Sequence, residues 1–166
     1  MLPGQKPMVE DKVHQILNKY VKADGFVYKD VVQPFIVSAW LSTHPMPAVI
    51  IHRNVVDVAY AMWQKQWTYP SNAVPSCDHP KKELLAGLHA AKEVLKTLKG
   101  AHIHYEQLVQ DETVLPSALK ELYNLDHIPS INYLTPSFRQ YSKHIDQRKE
   151  TPLYQELKDL YASLVE

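Results

Sequence analysis

The stretch Ala48-Val49-Ile50-Ile51-His52-Arg53-Asn54 does most to limit what this chain can fold into. A continuous apolar run this short, rich in β-branched residues, reads as a strand covered on both faces, as in the centre of a parallel sheet. His52, Arg53 and Asn54 form the turn, and from Val55 to about residue 66 the pattern becomes that of an amphipathic helix. Strand, tight polar turn and helix in succession are the first half of a β-α-β crossover. In sheets built from such units ligands bind at the carboxyl ends of the strands, so the turn at residues 52–54 is a place to look for chemistry.

The same logic recurs on either side. After a loose start marked by Pro3, Gly4 and Pro7, apolar residues at Val13, Ile16, Leu17, Tyr20 and Val21 lie on one helical face that stops near Gly25. Phe26-Val27-Tyr28 predicts a buried strand ending at Lys29-Asp30, and residues 31–41 predict a helix with Pro34 in its first turn, where a missing N–H costs little. Downstream, residues 67–80 are a loop dense in Pro, Ser, Asn and Asp. Pro80 opens a long helix with Leu84, Leu88, Ala91, Leu95 and Leu98 on its apolar face and Gly100 as its stop. Residues 101–105 predict a third strand, and residues 105–109 and 112–123 short helices. Residues 126–150 fit no single pattern, and residues 152–165 form a last amphipathic helix.

Helices alternating with strands predict a single α/β domain over residues 1–166. Its expected architecture is three-layer, α/β/α, with helices on both faces of a mainly parallel sheet. The bulk numbers agree with one soluble domain: 166 residues, 45% hydrophobic and 22% charged. Eighteen basic residues balance eighteen acidic ones. A protein that tracks phosphate backbones usually carries a basic excess, so no nucleic-acid partner is expected. The first residues lack the apolar core of a signal peptide, and no apolar run is long enough to span a bilayer. With Cys77 as the one cysteine, no internal disulfide is possible. A cytoplasmic protein without a membrane partner is the default.

Arg53 leaves its strand where a helix begins. Its planar guanidinium and the free N–H groups of the first helical turn can converge on one anion, a phosphate above all. Asn54 and Asp57 suit the helix start as hydrogen-bond acceptors or as complements to its dipole. The alternative is an Arg paired with a carboxylate at the sheet edge.

Strand, Arg53, Asn54, two residues, Asp57-Val58-Ala59 and an aromatic-containing helix resemble the 3′-phosphate-binding segment of sulfotransferases. Those enzymes use 3′-phosphoadenosine 5′-phosphosulfate as donor. Two other stretches resemble the family in the same order. Phe26 to Asp30, followed by a helix ending in Trp40-Leu41, is similar to the strand one helix upstream. His102-Ile103-His104-Tyr105-Glu106-Gln107-Leu108-Val109, after the long helix, is similar to the later strand with its Tyr-Glu-x-Leu signature. Residues 26–125 carry the resemblance, and residues 126–166 form a C-terminal extension and helix. The resemblance implies a P-loop NTPase-like fold and transfer of a sulfonate group to the hydroxyl of a small-molecule or carbohydrate acceptor. It implies no metal. Arg53 and Asn54, with Arg139 in the basic stretch around Ser137-Phe138-Arg139, would hold the donor. Lys29 would neutralise charge on the moving group, and Asp30 would orient or deprotonate the acceptor.

The chain departs from the family at two points. No Gly-rich loop for the 5′-phosphosulfate is found around Gly4 or Gly25. The Ser that follows the family's Arg by eight residues is Ala61 here, and the position often basic is Val56. These departures leave room for a sulfotransferase-like domain without catalysis. Such a domain would act as a binding module or pair through an exposed sheet edge as a homo-oligomer. An unrelated nucleotide-binding enzyme such as a kinase is a third reading. His102 and His104 share one strand face, but no carboxylate or Cys completes a metal set and structural roles are expected. Glu106 is expected to tether a helix, Cys77 to be no nucleophile, and Trp63 to be core. Trp67 and Tyr69 could stack on a base, and Tyr141, Lys143 and Arg148 are expected on a solvated face.

Overall fold

The structure is a computed structural model that describes residues 46–67, 80–127 and 147–166, together with isolated helical positions at 37, 38 and 41. It is a mixed α/β arrangement. β1 (Val49–His52) leads into α1 (Val55–Gln64), and α2 (Pro80–Thr97) leads into β2 (Ala101–His104). Two helices follow β2, α3 (Tyr105–Leu108) and α4 (Val114–Tyr123), and α5 (Pro152–Val165) closes the chain. β1 and β2 pair in parallel, Val49 opposite Ala101 and His52 opposite His104. The crossover between them contains α1 and α2, as parallel pairing requires.

Local chemistry sets each boundary. Asn54 caps α1, its side-chain oxygen accepting the Val56 N–H at 2.8 Å and the Asp57 N–H at 3.4 Å. The helix ends at Gln64, two residues before the expected stop. Gln66 takes a left-handed conformation (φ 56°), and the Trp67 N–H turns back to the Met62 carbonyl at 2.9 Å. That closure consumes the last turn. Asn124 ends α4 in the same way with φ 50°, the Leu125 N–H reaching the Lys120 carbonyl at 3.0 Å. Thr151 caps α5 through the Tyr154 N–H, with Pro152 in the first turn.

Gly100 does more than stop α2. A Cβ at this position would lie 2.3 Å from the Ala48 carbonyl oxygen and 2.5 Å from the Ile50 side chain. The missing side chain lets β2 start against β1, with the Ala101 N–H donating to the Ala48 carbonyl at 2.9 Å.

The core lies between α1, α2 and α5, which pack on one another. Val55, Val56, Ala59 and Tyr60 of α1 meet Leu84 and Leu85 of α2 and Tyr154 and Leu157 of α5. Trp63 packs against this cluster, in keeping with its helical spacing. Covering of β1 on both faces is not what the structure shows. Ile50 and His52 are buried, whereas Ile51 is 47% exposed. A short apolar run specifies a strand but does not say how much of each face its neighbours will cover.

Candidate functional site

The exits of β1 and β2 lie side by side, which brings together two motifs about fifty residues apart in sequence. Arg53 follows β1 and Tyr105 follows β2, and the Arg53 guanidinium carbon sits 4.4 Å from the centre of the Tyr105 ring. This cation–π stacking holds the guanidinium plane in place. Next to it, the Asn54 backbone N–H donates to the Glu106 carboxylate at 3.3 Å. Glu106 thereby ties the start of α1 to the start of α3.

Arg53 has a feature its sequence context does not reveal. Its Nε and one terminal nitrogen (Nη2) are buried and, among the described residues, have no hydrogen-bond partner. Buried donors on a charged group are costly unless matched, because they lose water and gain nothing in return. An anion with several acceptor oxygens is the kind of group that would match both donors. The Asn54 side-chain oxygen is committed to the α1 cap, so any share Asn54 takes in holding an anion falls to its amide N–H groups. Asp57 is committed as well: its carboxylate accepts the Tyr154 hydroxyl at 2.8 Å, joining α1 to α5 in the core. Burial, and then the adjacent Asp57 charge, push the Tyr154 hydroxyl well above its ordinary value, so it remains a donor.

Behind Arg53 lies a histidine cluster. The parallel register puts His52, His102 and His104 on one sheet face. His102 Nε2 faces the Leu98 carbonyl at 2.9 Å. A carbonyl only accepts, so that nitrogen carries the proton, and Nδ1 of neutral His102 is left to accept from His52 Nε2 at 2.7 Å. The His52 and His102 rings are stacked with centres 5.0 Å apart, and His104 lies 5.6 Å from His52. His52 is held below its ordinary value by burial first, then by the basic neighbours His102, His104, Lys92 and Lys96. Two of the nitrogens are spent on each other, and among the described residues no group of three or more His, Cys, Asp or Glu is placed to hold a metal ion.

Lys29, Asp30 and Arg139, expected as catalytic and donor-binding residues, lie outside the described residues, as do Cys77 and Tyr69. Ala61 is half-buried in α1, and Arg148 sits 5.9 Å from the Tyr60 ring. Two features were missed by sequence reasoning: the stacking role of Tyr105 and the participation of His52. Each sits next to a residue singled out from sequence, Tyr105 before Glu106 and His52 before Arg53, and strand order would have revealed both.

Among the described residues no helix is long and apolar enough to cross a membrane. The chain matches no protein-family description, no curated protein and no solved structure.

Proposed function

We propose that this chain is a sulfotransferase domain that binds 3′-phosphoadenosine 5′-phosphosulfate with its 3′-phosphate against Arg53. The observation that carries this is the half-buried Arg53 guanidinium, two of whose nitrogens are buried without a partner among the described residues, with its face on Tyr105. The stretch that resembles the family's 3′-phosphate-binding segment and the one that resembles its later strand with the Tyr-Glu signature come together at this point. In this reading β1 and β2 are neighbouring strands of a larger parallel sheet in a three-layer, P-loop NTPase-like fold, and the protein works in the cytoplasm.

The chemistry follows from the charges. An acceptor hydroxyl of a small molecule or carbohydrate attacks the donor sulfur, the bond from sulfur to the bridging phosphate oxygen breaks, and the hydroxyl proton must leave. Asp30 would take that proton and Lys29 would neutralise the departing phosphate. Arg53 would anchor the donor at the far end and convert binding energy into position. Arg139 would supply a later phosphate contact, and no metal is required.

Calorimetric titration with adenosine 3′,5′-bisphosphate, the product left by the donor, tests the site. Binding in the micromolar range is expected. Arg53→Met should weaken it by roughly 10- to 100-fold, the worth of hydrogen bonds to a charged group. The same variant removes two buried unmatched donors, so the free protein should unfold at an equal or higher urea concentration. Binding unchanged in Arg53→Met would remove the anion site; binding lost together with the fold would show Arg53 to be structural.

A second reading, a domain that keeps the phosphate site but does not turn over donor, is favoured by Ala61 and by Glu106. Ala61 offers no hydroxyl, and the Glu106 carboxylate takes the Asn54 N–H that opens the helix. Tight product binding with no sulfonate transfer to any hydroxyl acceptor would select it. Pairing through an exposed sheet edge would accompany this reading.

A further inference from the structure

The histidine cluster is used by neither reading, yet it sits one residue behind each half of the Arg53 site. His52 precedes Arg53 and His104 precedes Tyr105. Its hydrogen bonds form a directed chain: His52 donates to His102, and His102 donates to the Leu98 carbonyl. The chain crosses from one strand to the other and then to the end of the crossover helix, so it ties the strand exits together by side chains as well as by the ladder.

We propose that His52 and His102, with His104 packed beside them, form a proton-operated clasp that holds the exits of β1 and β2 together and releases them on acidification. Its meaning for anion binding rests on the Arg53 reading; the clasp itself does not.

The bond pattern dictates how the clasp works. A first proton can enter at His52 Nδ1 and leave both hydrogen bonds intact. Within the bonded pair, a second proton has to enter at His102 Nδ1, the acceptor. Two N–H groups would then face each other across 2.7 Å, and the bond becomes a repulsion. Among the described residues acting on His52 none is acidic. The charged groups acting on His52 are His102 and His104 of β2 and Lys92 and Lys96 of α2, all basic. Arg53 follows in the chain. Glu93 of α2 is engaged with Lys96 at 2.7 Å, and Glu106 with the Asn54 N–H.

The sign follows from linkage. His52 is held below its ordinary value of 6.5 in the folded chain, so the unfolded chain binds more protons just below that pH. Stability is therefore full above about pH 6.5 and falls as pH drops toward the folded value. For each additional proton taken up on unfolding, the unfolding constant rises about tenfold per pH unit.

The test is on the full chain without ligand, so it stands or falls separately from the donor site. Imidazole nitrogen NMR from about pH 8 to about pH 5 should show His52 as the Nε2–H tautomer, titrating below the ordinary histidine range. The backbone amides of Arg53 and Tyr105 should shift with the same midpoint. His102→Asn places an amide oxygen where the ring Nδ1 stands, so it can accept from His52 but cannot be protonated. In urea unfolding this variant should keep the part of the acid-induced drop that His52 causes and lose the part that a second proton on the pair adds, while His102→Phe should lower the midpoint at neutral pH. His52 titrating as a free imidazole, or amides of Arg53 and Tyr105 that ignore it, would overturn the proposal. So would an acid drop in His102→Asn equal to that of the parent. Should the variants fail to fold, the titration of the parent chain decides alone.

Discussion

Replacing Tyr154 by Phe removes one oxygen and leaves the ring in place. The ring is buried in the core beside Tyr60, their centres 5.9 Å apart, so no cavity larger than the hydroxyl is made. What changes is the Asp57 carboxylate, which loses the hydroxyl that donates to it at 2.8 Å while remaining buried. A hydrogen bond to a charged group contributes about 1.5–3 kcal/mol, and a buried acceptor left without its donor bears that cost in full. We expect a loss of about 2 kcal/mol, equal to a fall in Tm of about 4–8 °C for a chain of this size. Urea unfolding should show the midpoint falling at constant slope. Asp57→Asn keeps an oxygen acceptor and should cost less. The double variant should cost less than the sum of the two singles, because the pair is coupled directly. The pH dependence adds a separate signature. The Tyr154 hydroxyl is raised above its unfolded value by burial and by Asp57. The stability it confers is present below about pH 10 and lost as pH climbs further, and Tyr154→Phe removes that alkaline loss. A change below about 0.5 kcal/mol in Tyr154→Phe, typical of an unremarkable surface substitution, would refute the reasoning, since it would mean that Asp57 finds water as readily as it finds the hydroxyl.

Gly100→Ala puts a methyl group 2.3 Å from the Ala48 carbonyl oxygen and should destabilise by about 1–3 kcal/mol through overpacking at the strand entrance; thermal unfolding monitored by circular dichroism checks it, and a neutral result would deny the close approach. Asn54→Ala removes the cap on α1 and should cost about 0.5–2 kcal/mol in urea unfolding, whereas Asn54→Asp, which keeps the acceptor, should cost less. Glu106→Gln preserves an oxygen for the Asn54 N–H but removes a negative charge near the proposed phosphate; calorimetry should show adenosine 3′,5′-bisphosphate binding several-fold more tightly, and no change would place that phosphate away from the helix start.

How far the sequence could be read depended on the range of the interactions. Strand-turn-helix at residues 48–64 and the last helix are set by neighbours a few positions apart, through caps at Asn54 and Thr151 and a proline at 152, and these were legible. The end of α1 was not, because Gln66 closes the helix in a left-handed conformation usually given to Gly or Asn. Asp57 looked like a residue for the helix start, yet its carboxylate serves a tyrosine 97 positions away, a distance no local pattern encodes. The site shows the same division. Arg53 and the Tyr105-Glu106 pair could each be singled out, but that they meet depends on β1 lying beside β2, and strand order is a property of the whole sheet. The histidines make the point most sharply. His102 and His104 share a face by the period of the strand alone, which any reader of the sequence can count. Whether His52 joins them depends on register, since a slip of one residue would turn it to the other face. Gly100 is what admits β2 at the position that puts His52 opposite His104. The residue that read as a helix stop therefore also decides whether three scattered histidines become one cluster.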